Sequence, residues 1–177
     1  MLSFMLQDKF GRNHNYLRLA VTDRCNLRCF YCMPEVGINS LKREDLLSYE
    51  EMLRLAHVFS QEGVNKIRIT GGEPFVRSGM VGFLEQLTQV EGIDEVHITS
   101  NGSLISDHIE QLESIGIKSI NLSLDTLDRE RFHSITRRDK FEGVYQTLQN
   151  LIASSIDTKI NMVVMKNKNL DDIIPML

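Results

Sequence analysis

No apolar run in the 177 residues approaches the ~20 needed to span a bilayer, and the N-terminus lacks a basic stretch followed by an apolar core and a cleavage site. Positive charge is not in excess either. A net charge of −4 gives no reason to expect nucleic acid or an anionic membrane as a partner. The glycine-rich lysine loop of P-loop nucleotide hydrolases is missing, which excludes that route to phosphate chemistry. Linkers and low-complexity segments are absent too, so one domain over residues 1–177 is expected. Cysteine is scarce: there are three, too few and too odd a number for a disulfide framework. Clustered unpaired thiols belong in a reducing compartment, and the cytoplasm is the expected location.

What the chain does have is those three cysteines in one place. Cys25, Cys29 and Cys32 form C-x3-C-x2-C directly after the apolar run Leu17 to Val21. Structural zinc normally takes four protein ligands, and no histidine stands at finger spacing from Cys32. An iron–sulfur cluster is also usually held by four cysteines, so three leave one iron open to a small molecule. The cluster is the favoured reading; zinc and inert thiols are the alternatives.

With 42% apolar and 25% charged residues the chain has the balance of a globular domain. An N-terminal arm, Met1 to Asn15, precedes a strand over Tyr16 to Val21. Ser48 and Glu51 form a capping box opening a helix whose stripe is Tyr49, Met52, Leu53, Ala56 and Phe59, with Gly63 as its stop. The cycle then repeats. Strands are expected over Lys66 to Thr70, Glu95 to Thr99, Ser119 to Leu124 and Lys159 to Val164. Helical stripes follow them on Met80–Phe83–Leu84–Leu87, Ile105–Ile109–Leu112–Ile115 and Phe141–Val144–Tyr145–Leu148–Ile152, and a last helix begins near Leu170. Strands alternating with helices imply βαβ units and a parallel sheet, either doubly wound or barrel-like.

Strand composition favours the barrel. Each strand alternates, with Arg18, Arg68, Thr70, His97, Thr99, Asn121, Ser123, Lys159 and Asn161 on one face and apolar residues on the other. A solvated open face is the plain explanation. The functional one is a lumen lined for a charged ligand, in which Arg18, Arg68 and Lys159 suit a polyphosphate. Active sites of such barrels lie at the carboxyl ends of the strands, where Gly71-Gly72-Glu73-Pro74 sits. There the glycines leave room for a ligand against the backbone, and Glu73 is able to accept from an ammonium group. Ser123, taken alone, is a strand-end hydroxyl capping local backbone.

The cysteine motif with Tyr31 before its last cysteine resembles the signature of radical S-adenosylmethionine enzymes. The longer run Leu17-Arg18-Leu19-Ala20-Val21-Thr22-Asp23-Arg24-Cys25-Asn26-Leu27-Arg28-Cys29, with Tyr31-Cys32-Met33-Pro34, is similar to the GTP 3',8-cyclase family of molybdenum-cofactor biosynthesis. Ile67 to Pro74 and Asn121-Leu122-Ser123-Leu124-Asp125 match the same family. The resemblance implies a partial (β/α)6 TIM-like barrel of about five parallel strands. It implies a [4Fe-4S] cluster on Cys25, Cys29 and Cys32, and S-adenosylmethionine held by Tyr31, Gly71, Gly72, Glu73, Pro74 and Ser123. It also implies GTP held by Arg18, Arg68, Thr99 and Lys159. The activity it implies is reductive cleavage of S-adenosylmethionine and a radical rearrangement of GTP to (8S)-3',8-cyclo-7,8-dihydroguanosine 5'-triphosphate. The partners implied are GTP and an electron donor.

Two rival readings are another radical enzyme of the superfamily with a different substrate, and a cluster-binding module without turnover. The family also carries a C-terminal portion with a second group of three cysteines. The expectation here is an N-terminal half that keeps the cofactor site, turns GTP over poorly and exposes a sheet edge, which a homodimer would cover.

Overall fold

The computed structural model describes residues 6–177. Five parallel strands run in chain order: β1 (Tyr16–Ala20), β2 (Lys66–Thr70), β3 (Glu95–Ser100), β4 (Ser119–Ser123) and β5 (Asp157–Asn161). Between them lie α1 (Tyr49–Gln61), α2 (Met80–Thr88), α3 (Ile109–Ser114), α4 (Arg129–Thr136) and α5 (Phe141–Ala153). A doubly wound sheet reverses its strand order at a switch point; this one never does. Crossovers that always step to the next strand put the helices on one face and leave the other concave, as in a partial barrel.

The alternation read from the sequence is what sorts the two faces. Ile67, Ile69, Val96, Ile98, Ile120 and Leu122 are at most 2% exposed and pack beneath the helices. They meet Met52 and Ala56 of α1, Phe83, Leu84 and Leu87 of α2, Leu112 of α3, and Val144 and Leu151 of α5. Burying side chains of this size stabilises by about 1.5–3 kcal/mol each. The capping box forms as expected: Ser48 Oγ accepts from Glu51 N–H at 3.2 Å, and Glu51 Oε2 accepts from Ser48 N–H at 2.7 Å. Gly63 and Gly116, with φ of 89° and 86°, take the left-handed turns that stop α1 and α3.

Several boundaries differ from expectation. The arm over Met1 to Asn15 begins outside the described residues; its described part folds back through a Gln7–Asn13 bridge. The stripe of α5 runs through buried Thr147, whose Oγ1 donates to the Gly102 carbonyl at 2.6 Å, while Tyr145 and Ile152 are exposed. The segment before α3 is a short 3-10 turn (Ser106–His108), and near Leu170 there is only another (Leu170–Asp172) rather than a helix. Strand β5 stops at Asn161 because Val163 N–H donates to the Asp125 carboxylate instead of to a strand. Helix α4 was not expected at all. Asp128 caps it, accepting from Arg131 N–H at 2.7 Å, and Arg137 closes it in the left-handed region at φ 55°.

A candidate cofactor site at the carboxyl ends of the strands

The unexpected helix is the platform for the cysteine loop. Arg28 N–H donates to the Thr136 carbonyl and Phe30 N–H to the Ile135 carbonyl, at 2.9 and 3.1 Å, so the last turn of α4 carries the loop. Leu27, 4% exposed, anchors it in the core. Cys32 and Met33 N–H both fold back on the Cys29 carbonyl at 2.9 Å, which makes the tight turn between the second and third cysteines.

These residues rim a cavity of about 650 Å³ at the carboxyl ends of the strands. All three cysteines line it, with Tyr31, Gly71, Gly72, Thr99 and Ser123. Asn161, Met162 and Val163 close it from the β5 side. Cys25 and Cys29 are half-buried and Cys32 is exposed. Burial pushes the Cys29 thiol up to about 11 and raises Cys25 as well. Such thiols stay protonated until a metal displaces the proton, so the donor set fits an iron centre. Among the described residues no three His, Cys, Asp or Glu side chains converge on a single-ion site. The three thiols line one cavity, and three cysteine ligands suit a cluster with one iron left open.

The glycine pair does more than leave space for a ligand. Past the ends of β1 and β2 the two chains stay hydrogen-bonded: Val21 N–H to Thr70 O at 2.9 Å, Gly72 N–H to Thr22 O at 2.7 Å, Glu73 N–H to Arg24 O at 2.8 Å. That pairing delivers the chain directly into Cys25.

Glu73 does not face the cavity. It has no exposed surface, and its carboxylate already accepts from Phe75 N–H, Ser100 Oγ–H and Asn101 N–H at 3.2, 2.9 and 2.7 Å. Burial raises its pKa, and those three donors pull the other way. The expected acceptor for an ammonium group is instead a buried brace between the β2 and β3 loops. Pro74 is buried beside it. Tyr31 is held from the far side, its hydroxyl donating to Asp125 Oδ2 at 2.6 Å; burial and that carboxylate keep the phenol protonated. Asp125 Oδ1 accepts from Val163 N–H at 2.8 Å, which ties the cysteine loop, β4 and the segment after β5 together.

The basic set lies on the concave face, outside the lining of this cavity. Arg18 pairs in register with Arg68, Arg68 with His97, and Lys159 with Asn121 and through it Thr99. Arg68 is partly spent: it donates to Tyr16 Oη at 2.8 Å, the Ile98 carbonyl at 3.0 Å and Ser119 Oγ at 3.5 Å. Arg18 and Lys159 are exposed and, among the described residues, make no side-chain hydrogen bond or ion pair. Neither charge is buried, so no desolvation cost by itself calls for a ligand here. These two cations stand on an open concave face at the sheet edges. Nor is the face uniformly basic, since Glu95 pairs with Lys66 and His97, both at 3.0 Å. Asn121 Oδ1 is buried on this face and has no partner among the described residues.

Sequence reasoning missed Asn26, Asn101, Ser103 and Asp125. Asn101 and Asp125 fall at the carboxyl ends of the third and fourth strands in the sequence reading but carry no role there, and Asn26 and Ser103 are not singled out.

The GTP 3',8-cyclase of Thermodesulfovibrio yellowstonii is 44% identical over 170 residues, covering 95% of this chain and 53% of that protein. The GTP 3',8-cyclase of Geobacter sulfurreducens is 46% identical over 165 residues, covering 93% and 51%. Molybdenum cofactor biosynthesis protein 1 of Homo sapiens is 42% identical over 173 residues, covering 97% and 27%. The chain thus spans about half the length of the bacterial relatives it matches. Among solved structures, anSMEcpe with bound AdoMet matches with a TM-score of 0.70 at 19% identity, over 91% of this chain and 46% of that one. Streptococcus suis SuiB bound to S-adenosylmethionine matches at 0.67 and 22%, over 91% and 35%. These two likenesses show the fold. The Radical SAM superfamily model matches residues 19–177, a span that takes in the end of β1, the cysteine loop and the whole of β2 to β5, and the chain belongs to that superfamily.

Proposed function

We propose that residues 1–177 form one core domain of a GTP 3',8-cyclase, carrying the cluster loop, the S-adenosylmethionine site and part of the GTP site. The observation that carries the substrate is the pair of unpartnered cations, Arg18 and Lys159, on the concave face that also presents Thr99. Relatives more than 40% identical over nearly the whole chain bear that enzyme's name. Cys25, Cys29 and Cys32 would hold the cluster, which when bound would supply the electron for reductive cleavage of S-adenosylmethionine. The residues do the rest. Tyr31, Gly71, Gly72 and Ser123 line the volume the cofactor would fill. Glu73 keeps the loops around it in place from behind, and Pro74 packs with it. Arg18 and Lys159 would meet the triphosphate, with Arg68 contributing what its strand contacts leave free.

Arg18→Ala and Lys159→Ala are each expected to weaken GTP binding by about 1.5 kcal/mol, roughly tenfold, the low end for charge-assisted contacts because both sites are open to water. Calorimetric titration with GTP measures it. Unchanged affinity in both variants would remove the triphosphate from this face. Anaerobic product analysis separates the rivals. 5'-Deoxyadenosine with a cyclised guanosine triphosphate supports the cyclase, 5'-deoxyadenosine alone another radical enzyme, and neither product a binding module. The further partners proposed are a low-potential electron donor and a second copy of the chain covering the open sheet edges at β1 or β5. Among the described residues no helix is long and apolar enough to cross a membrane.

Cluster loading should depend on pH with a definite sign. The thiols of Cys25 and Cys29 titrate above the ordinary range in the folded chain, so each must give up a proton to iron. Apparent iron affinity then rises with pH from neutral toward about 11, where Cys29 would lose its proton unaided. Iron uptake during anaerobic reconstitution is expected to be slower and less complete at about pH 6.5 than at about pH 8.5. Uptake independent of pH would mean the loop already holds thiolates.

A further inference from the structure

A closed ring of polar side chains joins the cysteine loop to the loop after β3, and nothing proposed above uses it. Asn101 Oδ1 accepts from the Ser103 backbone N–H at 3.0 Å and from Ser103 Oγ–H at 2.6 Å. A backbone N–H only donates, so this contact decides which end of the Asn101 amide is oxygen. Its Nδ2 therefore points the other way, to Asn26 Oδ1 at 3.0 Å and to Cys25 Sγ at 3.7 Å. Asn26 completes the ring by donating Nδ2 to Ser103 Oγ at 2.8 Å. The Asn101 backbone is fixed as well, its N–H donating to the buried Glu73 carboxylate at 2.7 Å.

The three sulfurs are thus not equivalent. Cys25 Sγ receives the Asn101 amide and, at 3.4 Å, the Leu27 backbone N–H. The Tyr31 hydroxyl lies beside Cys29 but donates to Asp125. We propose that Asn101 is a positioning residue that sets the cluster's reduction potential, by aiming an N–H dipole at the Cys25 thiolate. The inference rests on the reading that Cys25, Cys29 and Cys32 hold the cluster.

Reduction adds one electron from an external low-potential donor to the cluster, with no bond made or broken at that step. The added negative charge spreads onto the sulfurs, and a donor aimed at one of them stabilises the reduced state more than the oxidised one. Asn101 should therefore hold the potential higher than the bare loop would, within reach of the donor. Mere loosening of the loop gives the opposite sign, because water entering the site also favours the more highly charged reduced cluster.

The test is a potentiometric titration of the cluster-loaded protein followed by electron paramagnetic resonance, with iron and sulfide content matched between variants. Asn101→Ala should move the midpoint to more negative potential. Asn101→Asp keeps the shape and the acceptor for Ser103 while replacing the donor with an anion, and should move it further the same way. Ser103→Ala cuts the ring on its other side and leaves the contact with Cys25, so its midpoint should stay at that of the parent. If Asn101→Ala fails to load a cluster, Asn101→Asp decides alone. An unmoved or more positive midpoint in the Asn101 variants overturns the proposal, as does an equal shift in Ser103→Ala. Failure of the parent chain to assemble any cluster would instead sink the cluster reading beneath it.

Discussion

Serine at Cys25, Cys29 or Cys32 is expected to remove the iron–sulfur absorbance and 5'-deoxyadenosine formation together, by more than about 100-fold, beyond the 10–100-fold typical of outer-shell changes at metal sites. The chain has three cysteines and no spare thiol to replace one. A serine hydroxyl is a much poorer iron ligand at neutral pH, since it must lose a far less acidic proton. Cys32→Ser is the cleanest of the three because this side chain is exposed, so the melting temperature of the cluster-free chain should be unchanged. Cys25→Ser and Cys29→Ser touch half-buried positions against the core and should cost some stability in addition. Iron and sulfide content, visible absorbance and product formation measure the effect. A Cys32→Ser protein that keeps its full iron content, or a parent that takes up stoichiometric zinc and no iron, would end the cluster assignment.

The strands were legible because a sheet covered on one face only must alternate, and Ile67, Ile69, Ile98, Ile120 and Leu122 do so against polar neighbours. The cap of α1 was legible because Ser48 and Glu51 satisfy each other locally, without help from the rest of the fold. Helix α4 was not. It is eight residues long and buries only Phe132, Ile135 and Thr136, too short a stripe to stand out in a polar segment. Its one readable signal was Asp128 at the N-cap position.

Side-chain direction was the other gap. Glu73 sits in a motif that invites a ligand, yet three donors from its own loops turn it inward. Arg68 shares a face with Arg18 but reaches sideways to Tyr16, Ile98 and Ser119. Val163 and Val164 look like more strand, whereas Val163 N–H goes to the Asp125 side chain, just past the end of β4. Each of these choices depends on a partner distant in sequence, so no local pattern announces it.

Gly72→Ala is expected to undo both the fold and the site at this junction. A Cβ at Gly72 would stand 2.2 Å from the Arg24 carbonyl oxygen and 2.5 Å from its carbon. At Gly71 it would stand 2.4 Å from the Thr22 oxygen, with φ at +153°, a backbone conformation side chains rarely adopt. Both obstacles are backbone, so no change of rotamer relieves them. The chains from 21 to 24 and from 70 to 73 would have to part, breaking the hydrogen bonds of 2.7 and 2.8 Å from Gly72 and Glu73. Overpacking of this kind costs about 1–3 kcal/mol, which lowers the melting temperature of a chain this size by several degrees. The displaced strand leads straight from Arg24 into Cys25, so cluster content should fall with stability. Gly82→Ala supplies the control. Gly82 lies inside α2 with nothing within 4 Å of the added methyl, and the substitution should stabilise by about 0.4–1 kcal/mol. Thermal melts of the two variants, with iron content measured alongside, test the argument. A Gly72→Ala protein as stable and as fully loaded as its parent would show that the two chains are free to separate there, and that the glycines serve only the ligand side of the cavity.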